Sequence, residues 1–165
     1  MISNSVNEKM ISFKELEKKI FKYVCELGCE ITRSILEAYD DAVAVKRDKQ
    51  KYRNKGKRAT CIKTVYGSVK YQRRIYGTIT ENGEKAYVYL LDAEMRMDKI
   101  GMISSNLAEK IAMTVTESPY RVTAETISST SGQSISASGV WNVMQRLGEK
   151  ISEEEKYAVK QMHAD

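Results

Sequence analysis

Twelve basic residues fall between Ala42 and Tyr76: Lys46, Arg47, Lys49, Lys51, Arg53, Lys55, Lys57, Arg58, Lys63, Lys70, Arg73 and Arg74. Asp48 is the single acid among them, so twelve positive charges meet one negative and the stretch carries +11. The whole chain is only +5, which leaves −6 for the remainder. Like charges at this density repel one another and build no core; their ordinary use is to hold a polyanion. Tyr52, Tyr66, Tyr71 and Tyr76 interleave with the block, a mixture suited to nucleic acid. The chemistry expected is therefore phosphate binding by Lys46, Arg47, Lys49, Lys51, Arg53, Lys55, Lys57 and Arg58, with Arg73 and Arg74 extending the same surface. A solvated loop without a ligand is the competing reading.

A second group lies between Pro119 and Leu147. Residues 121–130 read as a helix with Val122, Ala124 and Ile127 inward. Ser131–Gly132–Gln133–Ser134 follows as a turn, with Gly132 in the left-handed conformation that ends a helix. Ile135 is a core plug, and Ser136 caps a further helix, SASGVWNVMQRLGEKI. Val140, Met144, Leu147 and Ile151 make its inner face, with Trp141 flanking the core. Ser138, Asn142, Gln145 and Arg146 make its outer face. Helix, short Gly-containing turn, helix is the helix-turn-helix layout. Asn and Gln suit adenine, and Arg suits guanine. Arg121, Ser136, Ser138, Asn142, Gln145 and Arg146 are thus the candidate DNA contacts, and a purely structural helical hairpin is the alternative.

Other chemistry is not expected. The lone histidine, His163, stands two residues from the end, and no Gly-rich phosphate loop or Ser–His pairing appears. Cys25 and Cys29 lie one helical turn apart, but no second cysteine pair completes a metal site; like Cys61 they read as small buried residues. Asp40 with Asp41, and Asp92 with Asp98, give no convergent carboxylates. No catalytic residue, metal, cofactor or small-molecule substrate is assigned. Three cysteines, an odd number, favour a reducing compartment over a disulfide framework.

The elements that must position these groups read as α+β, mostly helical. A long helix is expected from about Ser12 to Val45, opened by the Ser12–Glu15 capping box. Its apolar stripe is Phe13, Leu16, Ile20, Val24, Leu27, Ile31 and Ile35. A stripe of that length needs cover, from the rest of the chain or from a second copy in a homodimer. Asn54 and Gly56 interrupt the basic run that follows. Alternation then takes over from Ala59, around a Gly67–Ser68 turn and an Asn82–Gly83 turn, with a third strand at 86–91: a three-stranded antiparallel meander. A helix from about Ser104 to Glu117 precedes Pro119, which suits the first position of the next helix. The expected units are 1–58, helix plus basic arm; 59–92, sheet; 93–150, helix-turn-helix region; and 151–165, a charged helix. No run of about 18 apolar residues exists to span a membrane, and the N-terminus lacks a signal-peptide core.

Four stretches taken together, FKELEKKIFKYVCELGCEI, DKQKYRNKGKRATCIKTVYGSVKYQRRIY, YVYLLDAEMRMDKIGMISSNLAEKIA and SPYRVTAETISSTSGQSISASGVWNVMQRLGEKI, resemble the N-terminal part of the Lre-type insertion-sequence transposases. This bacterial group is also filed as an uncharacterised protein family. The resemblance covers about residues 12–155. It implies a nucleoid-associated, cytoplasmic role in DNA transposition and recombination, with double-stranded DNA at the ends of a mobile element as partner. It further implies an RNase H-like catalytic domain and its divalent metal beyond this stretch, so that the chain alone is expected to be a truncated or split copy without enzyme activity. Where such transposases often carry a Cys-containing knuckle, this sequence has Gly77–Thr78–Ile79–Thr80. A stand-alone DNA-binding regulator and a helical interaction protein that ignores DNA are the alternatives.

Overall fold

The structure, a computed structural model, describes residues 12–97 and 99–162. Its first element is the expected long helix, α1 (Phe13–Lys46). Ser12 accepts a hydrogen bond from the Glu15 backbone N–H (3.3 Å), and the Glu15 carboxylate accepts from the Ser12 N–H (3.0 Å), so two orphan donors are satisfied at once. Arg47 closes the other end by donating to the Ala44 and Tyr52 carbonyls.

The alternating segment forms β1 (Arg53–Thr64) and β2 (Gly67–Ile79), an antiparallel hairpin whose two-residue turn is Val65–Tyr66 rather than Gly67–Ser68. β1 begins six residues earlier than its alternation indicates, because β2 supplies a pairing partner for the basic run. A bulge between Asn54 and Lys57 absorbs the irregularity, with Gly56 at φ +97. β3 (Lys85–Val88) completes the meander against β2 and ends sooner than expected, since residues from Leu90 turn into a short helix, α2 (Leu90–Glu94). Two further strands, β4 (Lys99–Ile100) and β5 (Ile103–Ser104), join through β5, which runs parallel to β1 at Lys63–Ile103. The sheet is therefore five-stranded and mixed, ordered β3-β2-β1-β5-β4, rather than a three-stranded meander.

α3 (Ser105–Glu117) starts from a Ser104 cap, α4 (Tyr120–Thr130) starts after Pro119, which sits at the cap itself, and α5 runs unbroken from Ala137 to Met162. The expected separate helix from 151 is the second half of α5.

Two apolar clusters result. Leu36 of α1, Ile62, Val69, Tyr71 and Leu91 fill the space between α1, the hairpin and α2. Ile100, Ile103, Leu107, Ile111, Ala124, Ile127, Val140 and Val143 fill the helical end. Val143, absent from the expected inner face, is buried, whereas Ile151 is exposed.

α1 does not cover its apolar stripe with the sheet. The face it turns to the sheet is not the Phe13–Ile35 stripe but a mixed one, including Cys29, Leu36, Asp40 and Val43. The physical reason lies in β2, whose outer edge beside residues 72–74 has no strand. There α1 supplies carboxylates instead: Glu37 accepts from the Gln72 N–H (2.9 Å) and Asp40 from the Arg74 N–H (3.0 Å). A helix thus covers a sheet edge that would otherwise present open donors.

Candidate nucleic-acid interface

Of the ten expected phosphate ligands, the structure divides the group in two. Arg73 is buried, paired with Asp92 and stacked on the Tyr89 ring, its guanidinium carbon 3.7 Å from the centroid. Arg74 reaches Asp40 (2.7 Å) and Asp41 (2.6 Å) on α1. Both arginines fasten β2 to its surroundings and do not stand free for phosphate as expected. Arg47 is likewise half-buried, spent on the end of α1 and on the Tyr76 ring. Lys57 pairs with Asp41 at 3.6 Å but stays exposed. The Arg74 hydrogen bond and the Lys57 charge hold the Asp41 carboxyl below its ordinary range.

Lys46, Lys49, Lys51, Arg53, Lys55 and Arg58 remain exposed, and none of them faces a carboxylate within ion-pairing distance among the described residues. Several are gathered by the register of the sheet. Gly77 stands opposite Arg53 on one side and Tyr87 on the other, so all three share one face. Gly77 has no side chain, and Lys55 lies across the vacant place: a Cβ there would come within 3.0 Å of its Cε. Ile79 stands opposite Lys85 on the next rung. The outcome is a shallow groove of about 330 Å³ lined by Lys51, Arg53, Lys55, Lys85 and Tyr87, among others. Lys85 and Tyr87 fall outside the basic block, and the sequence reading missed them. The signal that finds them is the Lys85–Tyr87 alternation after the Asn82–Gly83 turn, once its register on Gly77 is known.

The helix-turn-helix candidates are placed as expected in one respect. Arg121, Ser136, Ser138, Asn142, Gln145 and Arg146 are all exposed on α4, the turn or α5. Ser138, Asn142 and Gln145 succeed one another at four and three residues on one outer face of α5. Arg121 pairs with Glu125 at 3.3 Å in full solvent. Ser136 accepts from the Gly139 N–H, capping α5. Arg146 lies over the β4–β5 turn, against Gly101, where a Cβ would clash with its guanidinium.

Gly132 corrects the turn reading. Its φ is not among the positive values, which belong to Gly56, Gly67, Gly83, Gly101 and Arg96. It is small for a different reason: a Cβ would stand 2.1 Å from the Tyr66 carbonyl oxygen. Its N–H donates to the Val65 carbonyl (2.9 Å), and Ser68 donates to the Gln133 side chain (2.8 Å). The tip of the β1–β2 hairpin is thereby docked onto the turn between α4 and α5. Tyr66 also shares a 2.6 Å hydrogen bond with Thr32 of α1, and the Cys29 thiol, pushed up by burial, lies 3.7 Å from the Tyr66 carbonyl.

No group of three or more His, Cys, Asp or Glu able to hold a metal occurs among the described residues. No described helix is long and apolar enough to cross a membrane. The uncharacterised protein family UPF0236 matches residues 6–164, and the chain belongs to that family. No curated protein and no solved structure matches it.

Proposed function

For this member of the family, we propose a DNA-binding role within transposition: the chain grips double-stranded DNA at the ends of a mobile element and leaves bond breaking to other residues. The observation that carries the reading is the groove at Gly77, where Lys51, Arg53, Lys55 and Lys85 converge, without acidic partners among the described residues, around an exposed tyrosine. The sheet fixes the backbones of Arg53, Lys55 and Lys85 in one array, and each cation that meets a phosphate displaces counterions from the duplex. Lys46, Lys49 and Arg58 extend the positive surface. The outer face of α5 adds residues able to read base edges, Asn142 and Gln145 foremost. The transposase assignment itself rests on the resemblance of the four sequence stretches. The reading places the chain at the nucleoid, with no cofactor of its own.

The same charges have a structural use. β1 from Arg53 to Arg58 is an edge with both faces exposed, and lysines and arginines on such an edge discourage pairing with another sheet. A regulator that binds DNA without taking part in transposition would use the same residues, and the target sequence separates the two. Titration of duplexes by fluorescence anisotropy tests DNA binding. The combined variant Lys51→Gln, Arg53→Gln, Lys55→Gln, Lys85→Gln is expected to lose affinity about equally for every duplex, by tenfold or more. Unchanged binding by that variant contradicts the groove; preference for element-end sequence over random duplex distinguishes a transposase from a regulator of another gene.

A further inference from the structure

The outward stripe of α1 is left uncovered by the described residues. Phe13, Leu16, Ile20, Val24, Leu27, Ile31 and Ile35 are each between 41% and 78% exposed, on the side away from the sheet. Their spacing is three, four, four, repeated once: an eleven-residue period. At about 3.67 residues per turn this period follows a nearly straight helix, unlike the seven-residue repeat of a left-handed coiled coil. From Phe13 to Ile35 the stripe runs about 33 Å.

We infer that this stripe pairs with the same stripe of a second copy, antiparallel, around a two-fold axis at Val24. Reversal maps the stripe onto itself to within one residue. With Val24 opposite Val24, Ile20 meets Leu27, Leu16 meets Ile31 and Phe13 meets Ile35, which is the self-complementarity a two-fold interface requires. Charge favours the same direction. The first half of the helix, to Val24, carries Lys14, Lys18, Lys19 and Lys22 against Glu15 and Glu17; residues 25–35 carry Glu26 and Glu30 against Arg33. Antiparallel pairing sets the basic half over the acidic half and brings Lys19 within one residue of Glu30 of the second copy, which Arg33 also reaches within its own helix. Parallel pairing sets like over like, which opposes association. Two such stripes are long enough to approach the roughly 1,000 Å² that a specific interface buries. This pairing is independent of DNA binding and leaves the Gly77 groove untouched.

Sedimentation equilibrium of the full chain without DNA is expected to give twice the 18.8 kDa monomer mass. Leu27→Glu, on an exposed site, is expected to keep its circular dichroism and thermal midpoint while raising the dimer dissociation constant at least tenfold. Direction is read by oxidative cross-linking in a background with Cys25→Ser, Cys29→Ser and Cys61→Ser. Val24→Cys is expected to link to itself, and Phe13→Cys to link only when mixed with Ile35→Cys. A monomer at every concentration, a folded Leu27→Glu that still dimerises fully, or a Phe13→Cys homodimer bond would each overturn the proposal.

Discussion

At the scale of single residues, charge in this protein does two different jobs that sequence alone does not separate. Arg73 and Arg74 stand in the middle of the basic block, yet their carboxylate partners are Asp92, 19 residues on, and Asp40 and Asp41, 34 and 33 residues back. Nothing local marks them as internal; only the folding of α1 along β2 brings Asp40 there. Asp40 is fully buried and takes two hydrogen bonds from Arg74. Removing one member of such a pair strands the other, so Asp40→Ala is expected to cost about 3 kcal/mol in urea unfolding. A cost below about 1 kcal/mol, the scale of a surface pair, would show that the pair holds little. Asp41 gives a pH signature. Its carboxyl is lowered, chiefly by the Arg74 hydrogen bond and then by Lys57. A group lowered in the folded state stabilises fully above the ordinary carboxylate range and loses that contribution as pH falls through its depressed value. Asp41→Asn should therefore narrow the drop in thermal midpoint on the acid side and leave its form near neutrality unchanged.

At the scale of elements, legibility followed local pattern. The Ser12–Glu15 box set the start of α1, and alternation around 59–79 gave the hairpin, because caps and two-residue periods are written in neighbouring residues. The stripe of α1 is legible as a stripe but not as an outward one, since the sheet-facing side includes Glu37 and Asp40, which serve an edge rather than a core. β4 and β5, two residues each, leave no periodicity to find. The turn between α4 and α5 lies where its Gly and Ser residues indicate, but Gly132 is required by the approach of the Tyr66 carbonyl, not by a left-handed φ. That contact couples the hairpin to the helical end. Gly132→Ala must move backbone at 2.1 Å and is expected to destabilise by about 2–3 kcal/mol, within the range of severe single substitutions. Hydrogen exchange should show protection lost first at Val65–Ser68 and in α5. Wild-type protection there would contradict the coupling.

At the scale of the whole molecule, a net charge of +5 conceals a basic edge and groove on the sheet and an acidic remainder. Six of the ten expected phosphate ligands stay exposed without a carboxylate partner among the described residues, and Lys85 and Tyr87 join them from a strand outside the block. If this basic surface holds nucleic acid, as proposed, salt dependence reveals it most directly. Binding of a duplex should weaken linearly in log affinity against log salt, with a slope of about −0.9 for each phosphate neutralised. Six to seven free cations, not all of them engaged at once, predict a slope steeper than about −3 between 50 and 200 mM salt. A slope near zero, or no binding at the low-salt end, would contradict the claim.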